Sequence, residues 1–236
     1  MPPRFCRAAE SPLQKFRPSY TGTGAFRASV LLQVRINDLD SHLHWDHTGD
    51  PEPFTSAEIV VGAAARPLLE DAYPHNPKSS YMALPEGRRV RYLDFTKDEA
   101  LLPAPFASFE RAVDFYGDGS FYLLDAPGHM PGHLAGAARI GANTFTLLAG
   151  DLCHGRQCYC PGARIMSAKM HEEGETARET LGKLVEVDKK YPDVLVIIAH
   201  EKERVEEGMP LFPHELNGWA MAMVEKRRAA ASPHAT

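Results

Sequence analysis

The chain has 236 residues, enough for one large domain or two small ones, and 44% of them are hydrophobic, so a full core can form. A net charge of −5 is mild and argues against nucleic acid as the main partner. No apolar run approaches the ~20 residues a membrane span requires, which argues against a membrane partner.

Residues 1–28 are expected to be irregular, broken by Pro2, Pro3, Pro12, Pro18 and Gly22-Thr23-Gly24. They hold no apolar stretch of the secretory kind. Their basic, Ser- and Thr-bearing composition is partly that of a transit peptide, against which Glu10 and the prolines stand. Val30–Ile36 is β-rich and reads as a strand, whereas residues 36–41 make a poor one. Residues 57–61 read as a strand and Ala63–Glu70 as a short helix. Residues 73–88, with Pro74, Pro77 and Pro85, read as loop.

Val90–Phe95 alternates and predicts a strand. Two hairpins follow: Ala112–Tyr116 with Phe121–Asp125 around Gly117–Ser120, then Leu134–Ile140 with Thr144–Ala149 around Gly141–Asn143. Glu172–Lys190 spaces Leu181, Leu184, Val185 and Val187 at helical intervals. Asp193–Ala199 is a continuous apolar run that fits a strand buried on both faces. Leu216–Arg228 reads as a last helix. Hairpins with covering helices imply sheets packed between helical layers, in one domain spanning residues 29–236. Arg88, Arg89 and Arg91, and again Lys226, Arg227 and Arg228, read as solvated basic faces. Of the cysteines Cys6, Cys153, Cys158 and Cys160, three crowd into eight residues. That is a poor disulfide framework and no standard zinc pattern, so a reducing compartment, the cytoplasm, is expected.

The chemistry concentrates at residues 42–47, His-Leu-His-Trp-Asp-His. In an extended chain His42 and His44 share one face, and Asp46 and His47 fall beyond the strand end. That layout suits two metals side by side, and imidazole with carboxylate donors favours zinc. By the same alternation Trp45 faces away from its neighbouring histidines and reads as a packing residue. Three later places supply partners: His129 and His133, each after Pro-Gly; Asp151 after an apolar strand; and His200 at the end of the 193–199 run. All fall at strand ends, where one edge of the sheets can collect them.

The set HLHWDH, PGHMPGH, AGD (149–151) and IAH (198–200) resembles the metallo-β-lactamase superfamily, in its lactonase-like branch. The resemblance runs from residue 41 to residue 200. It implies a four-layer αββα sandwich, of mixed α/β (α+β) class, here with the first N-terminal strands missing. It also implies that His42, His44 and His129 bind a first zinc, that Asp46, His47 and His200 bind a second, and that Asp151 bridges the two. His133 is expected to pack nearby or to donate a supporting hydrogen bond. A hydroxide held between the ions would open a lactone or lactam-like ring of a small acyl substrate, with Asp46 as proton acceptor. His154 stands where a tyrosine steadies the substrate carbonyl in acyl-homoserine-lactone hydrolases, and is expected to do related work or to have no role. Tyr73, Tyr81, Met82 and Phe106 are candidate pocket residues. A glyoxalase II-like thioesterase, or an inactive truncated relative acting as an interaction module, are the other readings. The sequence sets no oligomeric state.

Overall fold

The computed structural model describes residues 37–51, 55–98, 101, 103–211 and 213–231. The segment 1–28, expected to be irregular, and the strand expected over 30–36 lie outside them. Three strands, β1 (Asn37–Leu39), β2 (Glu58–Gly62) and β3 (Val90–Leu93), form a parallel sheet with β2 in the middle. Five more, β4 (Ala112–Asp114), β5 (Phe121–Asp125), β6 (Leu134–Arg139), β7 (Phe145–Leu148) and β8 (Val194–Ile197), form a second sheet in sequence order. β4 to β7 run antiparallel through the two hairpins. β8 joins parallel to β7, and that connection requires a crossover. The crossover contains the long helix α3 (Gly174–Lys190).

Side-chain alternation along the strands builds the layers. Val60 and Leu93 of the first sheet meet Val113, Phe121, Leu123 and Leu134 of the second. The other face of β2, Ile59 and Val61, packs on Leu43, Leu69 and Met130, with Leu69 supplied by α2 (Arg66–Glu70). The outer face of the second sheet, Leu124, Ala137, Leu147 and Val196, is covered by Leu181, Leu184 and Val187 of α3. The alternate residues of β8, Leu195 and Ile197, take Ala220 and Val224 of α5 (Asn217–Ala231). The result is the expected helix–sheet–sheet–helix sandwich, with three strands in the first sheet among the described residues.

The strand directions decide where the chemistry lies. β5, β7 and β8 all end at one edge, and Ala149 N–H to Ile197 O (2.8 Å) and Ala199 N–H to Gly150 O (3.0 Å) carry the β7–β8 pairing past the strands. Leu134 N–H donates to Ser41 O (2.7 Å), which ties the segment after β1 to that edge. The start of β6 and the end of β2 are in close contact there. A Cβ on Gly62 would lie 2.2 Å from Gly132 O, and Gly132 has φ +76°, so both positions need glycine.

Some expectations are corrected. Residues 36–41 include a strand, β1, because β2 supplies a parallel partner, and pairing outweighs the weak strand tendency of Asn37 and Asp38. Residues 42–47 are not extended throughout: a bend leads into a one-turn helix, α1 (Trp45–Thr48), closed by His47 N–H and Thr48 N–H on His44 O. A short helix α4 (Lys202–Glu206) follows β8 and was not expected. Arg227 and Arg228 are not simply solvated. They pair with Asp188 (2.6 Å) and Asp193 (2.5 Å), anchoring α5 to the end of α3 and the start of β8.

Gly62→Ala is expected to cost about 1–3 kcal/mol, since the added methyl overlaps fixed backbone. Urea unfolding checks it: the midpoint should fall, and an unchanged midpoint would show that the two segments can separate freely.

Candidate metal centre

Four chain segments meet at the common edge: the turn and helix at 41–48, the Pro-Gly loop after β5, Gly150-Asp151 after β7, and His200 after β8. The sequence-predicted donors converge there. His42, His44, His129 and Asp151 form one group, and Asp46, His47 and His200 another. Asp151 lies between them. Its Oδ2 is 3.8 Å from His42 Nε2 and 3.5 Å from His129 Nε2, while its Oδ1 is 3.4 Å from both His47 Nε2 and His200 Nε2. Asp46 Oδ2 lies 3.7 Å from His47 Nε2 and 3.6 Å from His200 Nε2.

These separations fit cations. A tetrahedral ion with donors at about 2.0–2.2 Å holds those donors roughly 3.3–3.6 Å apart. Within the first group His44 Nδ1 is 3.0 Å from His42 Nε2 and 3.1 Å from His129 Nε2. An imidazole nitrogen has one in-plane site, a proton or a lone pair, so His44 can make only one of these contacts an ordinary hydrogen bond. A shared cation satisfies all three nitrogens. Asp151 Oδ1 is likewise buried with no hydrogen-bond partner, which is costly for a carboxylate unless a charge faces it.

The electrostatics agree. Burial pushes His42 and His44 below the ordinary histidine range and His129 down to about 4, so the rings are neutral and can offer lone pairs. Burial works against the charge on Asp151, but the imidazoles of His154 and His47 more than offset it and hold the carboxyl well below the usual range. All of these donors are nitrogen or carboxylate oxygen, which suits zinc.

Several supporting groups orient the donors. His133 is fully buried. Its Nδ1–H donates to Ala126 O (3.0 Å) and its Nε2 accepts Asp151 N–H (3.1 Å), so it fixes the backbone of the central carboxylate. That agrees with the supporting role expected from sequence. Ser41, not singled out by sequence, places Oγ 3.2 Å from Nδ1 of both His42 and His47, and one hydroxyl can accept from both rings. Behind His200, the buried carboxylate of Glu201 accepts from the Tyr159 hydroxyl (2.9 Å) and Ile198 N–H (3.3 Å). His171, also missed, is buried against His129 and His154. A lone histidine with no motif spacing gives no signal by which to find it. His154 is partly exposed, with Nε2 3.2 Å from Asp151 Oδ2.

A cavity of about 640 Å³ opens over the donors, lined by Trp45, Asp46, His154, Met170 and Glu172 among others. Trp45 was expected to pack. It is 77% exposed, because the turn of α1 rather than strand alternation sets its direction. Phe106 was a pocket candidate but lies in the core, against Tyr122 and Phe145. Tyr81 is at the site: its ring stacks near His44 and its hydroxyl donates to Glu172 (3.0 Å). Tyr73 and Met82 are exposed and do not line the cavity. Cys153 and Cys158 are buried free thiols, with Cys153 pushed up to about 12 by burial, and no cysteine joins a donor group among the described residues.

A pH dependence follows for metal-free protein. Burial lowers His129 to about 4 and His133 to about 3, against about 6.5 in an unfolded chain. Below about 6.5 the unfolded chain takes up protons that the folded one refuses, so stability falls as pH drops through this window and levels off below the folded values. Unfolding of chelator-treated protein at several pH values between 8 and 4 tests this; a flat profile would contradict the burial of these rings.

No protein-family model matches the chain. The metallo-hydrolase mfmC of Annulohypoxylon moriforme is 33% identical over 224 residues, covering 78% of this chain and 57% of that protein. The gamma-lactamase FDB1 of Fusarium pseudograminearum (strain CS3096) is 30% identical over 224 residues, covering 76% and 52%. The chain thus spans little more than half the length of these curated relatives. Among solved structures, a quorum-quenching N-acyl homoserine lactone lactonase superposes with a TM-score of 0.53 at 22% identity, covering 75% of this chain and 62% of that one, a likeness of fold. With that fold, relatives named a metallo-hydrolase and a gamma-lactamase, and the ordered histidine and aspartate motifs brought to one edge, the chain is similar to hydrolases of the metallo-β-lactamase fold.

Proposed function

We propose that the protein is a metal-dependent hydrolase with a dinuclear centre, zinc by its donor chemistry, that opens a lactone or lactam-like ring of a small acyl compound. The reading takes residues 29–236 as one hydrolase domain working in a reducing, cytoplasmic compartment. In it His42, His44 and His129 hold the first ion, Asp46, His47 and His200 the second, and Asp151 belongs to both. The observation that carries it is the placement of Asp151, with one carboxylate oxygen turned to each group of imidazoles. The buried free thiols of Cys153 and Cys158 support the reducing compartment. No described helix is long and apolar enough to cross a membrane.

Two such ions supply an activated water at neutral pH and a positive field for an acyl oxygen. The chain's own residues do the rest. His44, His129 and Asp151 of the first group and Asp46 and His200 of the second all line the cavity, so a substrate seated there meets both groups. Asp46 lies on the cavity wall, where its carboxylate can accept the attacking water's proton and return it to the leaving group. His154 contacts Asp151 through Nε2. With Asp151 engaged by metal, His154 would be placed at the cavity to donate from Nε2 to the substrate carbonyl. Glu172, held by the Tyr81 hydroxyl, lines one side of the approach. The gamma-lactamase named among the relatives favours a ring amide within this class.

Purified protein assayed on a panel of lactams, lactones and thioesters should show ring opening that a chelator abolishes and zinc restores. Inert, metal-free protein would refute the reading, and a preference for thioesters would shift it to the glyoxalase II kind. Asp151→Ala should lose most bound metal and nearly all activity. Asp46→Asn should keep some metal while turnover falls by about 10²–10⁴; wild-type turnover in that variant would remove Asp46 as the proton carrier.

A further inference from the structure

His171 reaches the site from a stretch that none of the motifs includes. It follows a single 3₁₀ turn (Ala168–Met170) just ahead of α3, and its ring lies 5.2 Å from that of His129, centroid to centroid. Its Nδ1 is 3.4 Å from Nδ1 of His129. The other nitrogen of His129, Nε2, points away from His171, toward His44 and Asp151.

The backbone fixes this approach. Glu172 N–H donates to His129 O (2.9 Å) and Glu173 N–H to Gly128 O (3.0 Å), pairing the segment that carries His171 with the loop that carries His129. The first turns of α3 press on the same loop so closely that a Cβ on Gly128 (φ +119°) would lie 2.3 Å from Ala177 N. The Tyr81–Glu172 hydrogen bond ties the segment down from the opposite side.

A neutral imidazole carries one proton on two nitrogens. His129 can offer a lone pair at Nε2 only if its proton sits on Nδ1, and a buried Nδ1–H needs an acceptor. His171 Nδ1 is the group placed to accept it. Resting on the dinuclear reading above, we propose that His171 is a positioning residue for the first ion. It accepts the Nδ1–H of His129, commits that ring to one tautomer, and so presents Nε2 as the donor. A carboxylate or backbone carbonyl commonly fills this role at histidine metal sites. A neutral imidazole orients the ring without adding negative charge, which leaves more of the ion's charge for an acyl oxygen.

The test compares His171→Leu with His171→Gln, whose amide oxygen can accept the same proton. Zinc affinity is read by competition with a chelating dye. One of the two bound equivalents should weaken about 10–100-fold in His171→Leu while the other holds, and His171→Gln should recover most of the loss. A Leu variant with two equivalents at wild-type affinity, or Leu and Gln variants equally impaired, would overturn the proposal. Histidine ¹⁵N spectra of zinc-loaded wild type decide the matter even if the Leu variant does not fold. A hydrogen-bonded proton on His129 Nδ1 supports the assignment, and a proton on Nε2 overturns it. Wild type that takes up no zinc would refute the metal reading itself, so the two failures are told apart by the control.

Discussion

A single buried carboxylate organises this molecule. Asp151 is 3% exposed, and its two oxygens face different sets of imidazoles at 3.2–3.8 Å. An ionised group removed from water is tolerated only when charge or hydrogen bonds replace the lost solvation. Here His42 and His129 are themselves held neutral by burial, and Oδ1 has no hydrogen-bond partner. The arrangement is satisfied when cations occupy the spaces between carboxylate and nitrogens. With metal bound there, folding of the sandwich and assembly of the centre would be coupled, as metal sites built from distant segments generally are.

The sandwich brings the donors together through strand direction. β7 and β8 are parallel and adjacent, so Asp151 and His200, forty-nine residues apart, emerge side by side from neighbouring strand ends. β5 runs the same way two strands over and delivers the Pro-Gly loop with His129 and His133. The segment after β1 is attached to the start of β6 through Ser41 O. The Gly62–Gly132 approach then sets how closely the histidine loop can sit against the first sheet. Side-chain supports finish the work: His133 holds the backbone of Asp151, and Ser41 Oγ lies between a ring of each donor group.

Much of this was legible in the sequence. Donor chemistry requires particular residue types, so the histidine and aspartate clusters after β-rich runs announce themselves. The hairpins, α3 and β8 follow from periodicity and turn residues. What the sequence hid was set by contacts between distant segments. β1 exists because β2 pairs with it, despite Asn37 and Asp38. The 42–47 stretch looked extended because His42 and His44 do share a side, with Leu43 turned into the apolar layer. The helical turn that begins at Trp45 reverses the expected direction of that indole. His171 and Ser41 matter through partners far along the chain or through a hydroxyl's two lone pairs, and neither relation leaves a pattern of spacing. Phe106, with its proline-rich neighbours, looked like pocket lining but is claimed by the aromatic cluster with Tyr122 and Phe145.

X-ray absorption on the zinc-loaded full chain tests the central claim most directly. The account predicts a shell of nitrogen and oxygen donors only, together with metal–metal scattering at about 3.5–4 Å. A sulfur shell, or zinc with no second metal at that distance, would contradict a carboxylate shared between two ions.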